Sequence, residues 1–320
     1  MTFLTDSALE RLREAATQPD LSATRYRLLG KLGQGGMGGV FRVEDSLLAR
    51  EVALKVINVA DPALSARLLQ EARVIAKLEH PGIVPLHDAG TLPDGRPYYT
   101  MKLVQGESLD ELAKDLGGIA DRLRTFLRVC EPVAFAHAHG VLHRDLKPAN
   151  VMIGPFGEVL VMDWGLSKLL GETPSRHATP EDRTVALPSA SLATAHGCVL
   201  GTPGYMAPEQ REGEIVDPRA DVYSLGAILA FLLQFVPQQV PPPLAAICRK
   251  AKAENRNERF ASVTDLASDI AYFLDGLPVS AYPEGILARA WRWIARNRTW
   301  ILLLLAYVVT RALLIFFRPR

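Results

Sequence analysis

The stretch GQGGMGGV, Gly33 to Val40, constrains the fold more than any other part of the chain because of what stands on either side of it. Glycines gathered in this way let backbone come very close to a ligand such as a phosphate. In a dinucleotide-binding fingerprint a helix must follow the glycines, so that its N-terminus can hold the pyrophosphate. Here the next residues are Val40-Phe41-Arg42-Val43, β-branched and aromatic, and then a polar break at Glu44-Asp45-Ser46. That is the pattern of a strand. Tyr26 to Leu32 reads as the strand before it, so Gly33, Gly35 and Gly38 make the tip of a β-hairpin lying over a ligand. No Gly-Lys-Ser/Thr follows, which excludes a P-loop.

Glu51 to Ile57 reads as a third strand, with Lys55 set among apolar neighbours. A half-buried ammonium needs an anionic partner, because leaving it unpaired costs several kcal/mol. Phosphate oxygens and a carboxylate would both serve. The carboxylate expected is Glu71, in the helical pattern from Ala66 to Leu78 whose apolar face holds Leu68, Ala72, Ile75 and Ala76.

The 320 residues suffice for one large or two small domains, and 48% hydrophobic with 22% charged residues describes a packed core. Net charge is only +1, so no overall field favours nucleic acid, and no nucleic-acid partner is expected. The charge is nonetheless uneven. Seven arginines and no acidic residue follow Ile286, which leaves 29 basic against 35 acidic residues, a net of −6, in residues 1–285. Cys130, Cys198 and Cys248 lie far apart without a CxxC pair, which suggests reduced thiols rather than a disulfide framework or a zinc knuckle. The first residues read as a short amphipathic helix and lack the apolar run of a signal peptide.

Further on come HRDLKPAN (143–150), MDWG (162–165) and GTPGYMAPE (201–209), in this order after the glycine loop and VALK. Together these motifs resemble the protein-kinase superfamily over roughly residues 25–276, and GQGGMG, MDWG and the stretch FLDGLPVSAY resemble its bacterial members of the eukaryotic type. The resemblance implies an α+β, two-lobed fold with a small β-rich lobe, a larger helical lobe, and ATP with Mg²⁺, or Mn²⁺, between them. Such chemistry asks the protein for positioning and charge neutralisation more than for covalent work.

By matching position, Asp145 would accept the substrate hydroxyl's proton and Lys147 would reach the transferred group. Asn150 and Asp163 would hold the metal, being hard-oxygen ligands. Lys55 would orient the ATP phosphates while paired with Glu71. Val40, Ala53 and Met152 would sandwich the adenine, with Met101 as gatekeeper and Lys102 to Val104 as the hinge. His143 has a structural rather than a chemical role. Trp164 stands where the family usually has Phe, which keeps an aromatic anchor.

Lys147 and GTPGY resemble serine/threonine rather than tyrosine kinases, so protein substrates with Ser or Thr acceptors are implied. Thr202 would touch Asp145 and Lys147, Glu209 would pair with Arg259, and Asp221 would bond the catalytic-loop backbone. Arg144 is the residue that in this family receives a phosphate from the activation segment. Here 45 residues separate Asp163 from Glu209, rich in Ser, Thr, Pro and Ala, and autophosphorylation is expected there at Thr194 first, then Ser191, Ser189 and Thr184.

Two features depart from the family. Asp221 to Phe235 reads as a buried central helix, but Pro237 to Pro243 holds four prolines and should not be helical, with the next helix near Leu244. A further helix usually stands in this place, and its loss makes a kinase-like binding module or scaffold the rival reading. The second feature is WILLLLAYVVTRALLIFF, residues 300–317, in which twelve Leu, Ile, Val or Phe residues outweigh Arg311. A membrane span is expected, with Arg289, Arg292, Arg296 and Arg298 on its cytoplasmic side; a helix lying in the interface is the alternative. Arg311 sits on a polar-aromatic stripe suited to self-association, and with three residues after the span no sensor domain is expected there. The chain then divides into a helical extension (1–24), a β-rich lobe (25–102), a helical lobe (103–276), a basic linker (277–298), a membrane helix (299–317) and a tail (318–320).

Overall fold

The computed structural model describes residues 18–35, 38–57, 69, 72–73, 75–164 and 204–283, with isolated positions between 297 and 310. The N-terminal helix, Glu71, Thr194, Thr202 and most of 299–317 lie outside the described residues.

Three strands follow one another as antiparallel neighbours, β1 (Tyr26–Gly35), β2 (Gly38–Asp45) and β3 (Arg50–Ile57), and β4 (Leu86–Thr91) with β5 (Pro97–Lys102) completes a sheet of order β1-β2-β3-β5-β4. The hairpin expected from the glycines is there, and its ladder runs to Gly35 opposite Gly38, so the glycines belong to the strands themselves. The register slips between Leu28 and Gly30 and again between Lys31 and Gly33. Each slip leaves one leucine unpaired in a bulge, and Leu29 and Leu32 are accordingly exposed.

The side-chain period of two splits β3 between two cores. Val52, Leu54 and Val56 join Tyr26, Phe41, Val43, Leu92, Tyr98 and Leu21 on the outer face. Ala53 and Ile57 face a second core that continues through Tyr99 and Met101 into the helices. Lys55 lies between Ala53 and Ile57 in this alternation, so the sheet carries its ammonium on the side of the helical lobe.

That lobe contains β6 (Glu107–Ser108), α1 (Leu109–Leu112), α2 (Ile119–Ala138), β7 (Val151–Ile153) and β8 (Val159–Val161). After the segment outside the description come α3 (Pro208–Arg211), α4 (Pro218–Leu233), α5 (Pro242–Ala251) and α6 (Val263–Leu274). Beyond its polar first turn helix α4 is almost wholly apolar, with Val222, Leu225, Ile228, Leu229 and Leu232 fully buried, and it forms the axis on which the lobe is packed. A parallel bridge between Ile83 and Val161 ties the two lobes together, with the Val161 N–H donating to the Gly82 carbonyl at 2.8 Å.

Three expectations need adjustment. Val129 to His139 reads in the sequence as a helix leading into the HRDLKPAN loop, but α2 begins ten residues earlier, at Ile119, because its charged first half hides a buried Arg122. That guanidinium donates to the carbonyls of Ala113, Leu116, Gly117 and Leu232, so a residue that reads as surface is satisfied inside. The prolines do not all bar helix: Pro242 and Pro243 open α5, where the missing N–H groups would have had no partner. In the pattern from Ala66 to Leu78, Ala72, Ile75 and Leu78 are buried but Ala76 is exposed. Among the described residues no helix is long and apolar enough to cross a membrane. Within 299–317 only Ile301, Leu303, Ala306, Tyr307, Val309 and Thr310 are described, all helical.

Candidate active site

Strand register places the first group of side chains. Lys55 stands opposite Val40 on one side and Tyr99 on the other, directly beneath the glycine hairpin's base. Gly38 is required there by the protein's own packing, since a Cβ would collide with the Val56 carbonyl, whereas a Cβ on Gly33 would meet nothing within 4 Å. The Lys55 ammonium lies 2.6 Å from Asp163 Oδ1, and the Tyr99 hydroxyl donates to the same oxygen at 3.4 Å. Burial works against charge on Lys55, but Tyr99 and Asp163 more than offset it and hold the ammonium above its usual range. Burial likewise opposes charge on Asp163, and Lys55 reverses that, keeping the carboxyl below its usual range. The Tyr99 phenol is pushed up by burial, so the trio is an ammonium, a carboxylate and a neutral phenol.

The β7–β8 pair places the second group. Val151 opposes Val161, so Asn150, just before β7, and Asp163, just after β8, emerge side by side. The Met162 N–H donates to the Asn150 carbonyl at 2.9 Å and fixes that junction. Asn150 in turn gives its amide hydrogens to Asp145, at 2.7 Å to the carbonyl and 3.3 Å to Oδ2. Lys147 Nζ donates to the same carboxylate oxygen at 3.2 Å. With its Nδ2 spent on the loop, Asn150 has its amide oxygen to offer, and Asp163 adds a carboxylate, two hard oxygen donors of the kind that could hold a divalent cation.

Two of these positions carry backbone strain. Arg144 and Asp163 have φ of 67° and 57°, a left-handed conformation costing non-glycine residues about 1–3 kcal/mol each. Buried Asp221 of α4 stabilises the first. Its carboxylate accepts from the N–H groups of His143 and Arg144, each at 2.8 Å, as the sequence led one to expect, and also from His137 Nε2 at 2.7 Å. Burial would raise the Asp221 pKa, but these donors bring it below the usual range. His143 donates through Nε2 to the Met162 carbonyl at 2.9 Å and accepts the Asp145 N–H at Nδ1 at 3.3 Å. Burial depresses its pKa, so it is a neutral support whose ring lies 4.8 Å from that of Trp164, tilted by 47°, and the indole N–H finds the Val161 carbonyl at 3.1 Å.

Glu209 and Arg259 form the expected pair, both buried, with bonds of 2.6 and 2.8 Å. The remaining guanidinium hydrogens go to the carbonyls of Ala253, Arg219 and Glu254. On the proposed adenine side, Ala53 and Met101 face each other across β3 and β5 and are buried. Val40, Leu103, Val104 and Met152 are partly buried against the same core, while Lys102 is exposed. Glu71, Thr194 and Thr202 fall outside the described residues, so the carboxylate found on Lys55 is that of Asp163. Residue reasoning missed Tyr99, His137 and Gln210. Tyr99 was findable: it alternates with Met101 on β5, on the side that meets Lys55.

A sheet lobe and a helical lobe that bring a lysine, two aspartates and an asparagine together at their junction define the class of architecture. A family model described as protein kinase domain matches residues 26–274. The chain is 33% identical over 299 residues to the serine/threonine-protein kinase PknD of Protochlamydia amoebophila, an alignment covering 78% of this chain and 30% of that protein. It is 35% identical over 300 residues to PknD of Chlamydia caviae, covering 79% and 32%. It is also 42% identical over 222 residues to the DNA damage-responsive serine/threonine-protein kinase RqkA of Deinococcus radiodurans, covering 67% and 30%. The chain belongs to the protein kinase family. Its matches span about a third of the length of these curated relatives.

Proposed function

We propose that the chain transfers the γ-phosphoryl group of ATP to Ser and Thr hydroxyls of proteins. The observation that carries this is the junction itself: Lys55 held 2.6 Å from Asp163, beside Asn150 and Asp145. In this reading Lys55 and the glycine hairpin orient the phosphates, Val40, Ala53, Met101 and Met152 enclose the adenine, and Lys102 to Val104 present backbone to it. Asn150 and Asp163 hold Mg²⁺ or Mn²⁺, which when bound neutralises phosphate charge. Asp145 takes the proton of the acceptor hydroxyl, and Lys147, already on the Asp145 carboxylate, stabilises charge on the group in transit. Glu71 is the second partner of Lys55, and Thr202 orients the acceptor.

The test is incubation of the full chain with ATP and Mg²⁺, with and without a generic basic protein. Phosphoserine and phosphothreonine are expected. Nucleotide binding without transfer would instead make the chain a kinase-like scaffold, and phosphotyrosine alone would overturn the acceptor assignment.

Two finer parts of the reading have their own measurements. Autophosphorylation on residues 173–194, Thr194 first, with Arg144 receiving the phosphate, predicts phosphopeptides from that segment in an active preparation; a fully dephosphorylated segment would remove it. A cytoplasmic kinase domain tethered through 299–317, where self-association is also assigned, predicts that the full chain floats with anionic lipid vesicles and a chain ending at residue 285 does not. Equal flotation of the two would end the tether.

A further inference from the structure

The peptide group between Arg144 and Asp145 sets the direction in which Asp145 leaves the loop, and the left-handed residue before it is gripped at both polar atoms. The Arg144 N–H donates to Asp221 Oδ1 at 2.8 Å, and the Arg144 carbonyl accepts from Gln210 Nε2 at 2.9 Å. The second bond joins residues 66 apart in the chain. Gln210 stands on a fixed base. Its neighbour Glu209 is tied to Arg259 through both carboxylate oxygens, and the Ser224 hydroxyl of α4 donates to the Tyr205 carbonyl at 2.8 Å, just before α3.

We propose that Gln210 is a positioning residue for phosphoryl transfer: by holding the Arg144 carbonyl it makes the alignment of Asp145 depend on α3 being seated. The effect on rate rests on the phosphotransfer reading above. Asp221 fixes the N–H side of Arg144, and the peptide plane that leads into Asp145 is held at its N–H by a long 3.3 Å bond to His143 and at its carbonyl by the 2.9 Å bond from Gln210. Gln210 thereby narrows the rotation of that plane, the part of the conformational search that a near-attack arrangement cannot tolerate.

The side chain has a second contact, and the two roles separate cleanly. Gln210 Oε1 accepts from the Ala207 N–H at 3.4 Å, a bond that supports the start of α3. Glutamate would keep that acceptor and suit the position better, being a carboxylate in the first turn of a helix. It cannot donate to the Arg144 carbonyl, and it sets an anion against it. A capping role therefore predicts that Glu is harmless and Ala harmful, whereas positioning predicts that Glu is at least as harmful as Ala.

The experiment compares the full chain with Gln210→Glu and Gln210→Ala, reading kcat, KM for ATP, melting temperature, and backbone hydrogen exchange in peptides covering residues 141–150. Both variants are expected to lose about 10- to 100-fold in kcat with KM for ATP unchanged, and to exchange faster in 141–150. Should Glu lower the melting temperature, Gln210→Met keeps the length without either polar atom and is read the same way. Wild-type kcat and protection in the Glu variant, whether or not Ala is impaired, would overturn the proposal. If the wild-type chain transfers no phosphate, the phosphotransfer reading fails, and the exchange comparison still decides whether Gln210 holds the loop, because it needs no turnover.

Discussion

Replacing Asp145 by Asn should lower phosphoryl transfer by about 10²–10⁴-fold while the chain stays folded and still binds nucleotide. The substitution keeps the volume and one side-chain oxygen, so Lys147 and Asn150 retain an acceptor where they now find Oδ2 at 3.2 and 3.3 Å. The two contacts that position the loop from behind, Asp221 on the backbone and His143 on the Asp145 N–H, do not involve the altered atoms. What is lost is a group able to take a proton from an acceptor hydroxyl. The measurement is initial-rate transfer to the protein itself and to a basic substrate, beside nucleotide affinity and melting temperature. Full activity in the variant would remove Asp145 from the chemistry and leave the cluster as a binding site.

Much of this site was readable because its parts are local in sequence. The hairpin followed from residues on both sides of the glycines, and Lys55 from a charge set in an apolar strand. Asn150 and Asp163 flank a pair of three-residue strands, so a short stretch of chain holds both. What stayed hidden were contacts whose meaning depends on a distant partner. His137 reads as a helix-end histidine until Asp221, 84 residues on, lies 2.7 Å away. Gln210 has no signal of its own, since an amide near a helix start has many uses. Arg122 misled for a related reason: carbonyls from two helix ends satisfy it, and carbonyls leave no mark in a sequence. The prolines before α5 show the limit of a residue rule applied without position, because the first turn of a helix has no use for the N–H that proline lacks.

Arg259→Ala should cost about 3–5 kcal/mol, since it strands the Glu209 carboxylate in a buried place where it now accepts two bonds of 2.6 and 2.8 Å. For a domain of this size each kcal/mol is worth about 2–4 °C, so the melting temperature should fall by roughly 6–20 °C. Three carbonyls, of Ala253, Arg219 and Glu254, lose their donor as well, which loosens the chain just after α5 and at the start of α4. The double variant Arg259→Met/Glu209→Leu should recover part of the loss, because removing both charges also removes the desolvation cost that the pair has to offset. The pH dependence has a definite sign. Burial alone would raise the Glu209 pKa, but Arg259 brings it below the ordinary value. A carboxyl depressed in the folded state contributes its stability above the unfolded pKa of about 4.3 and loses it as pH falls through the folded value. The gap in stability between wild type and Arg259→Ala should therefore be widest near neutrality and close in acid. A gap that stays constant down to the acid limit would mean that Arg259 acts through the three carbonyls and its packing on Tyr223, 5.0 Å from the ring centre, rather than through Glu209.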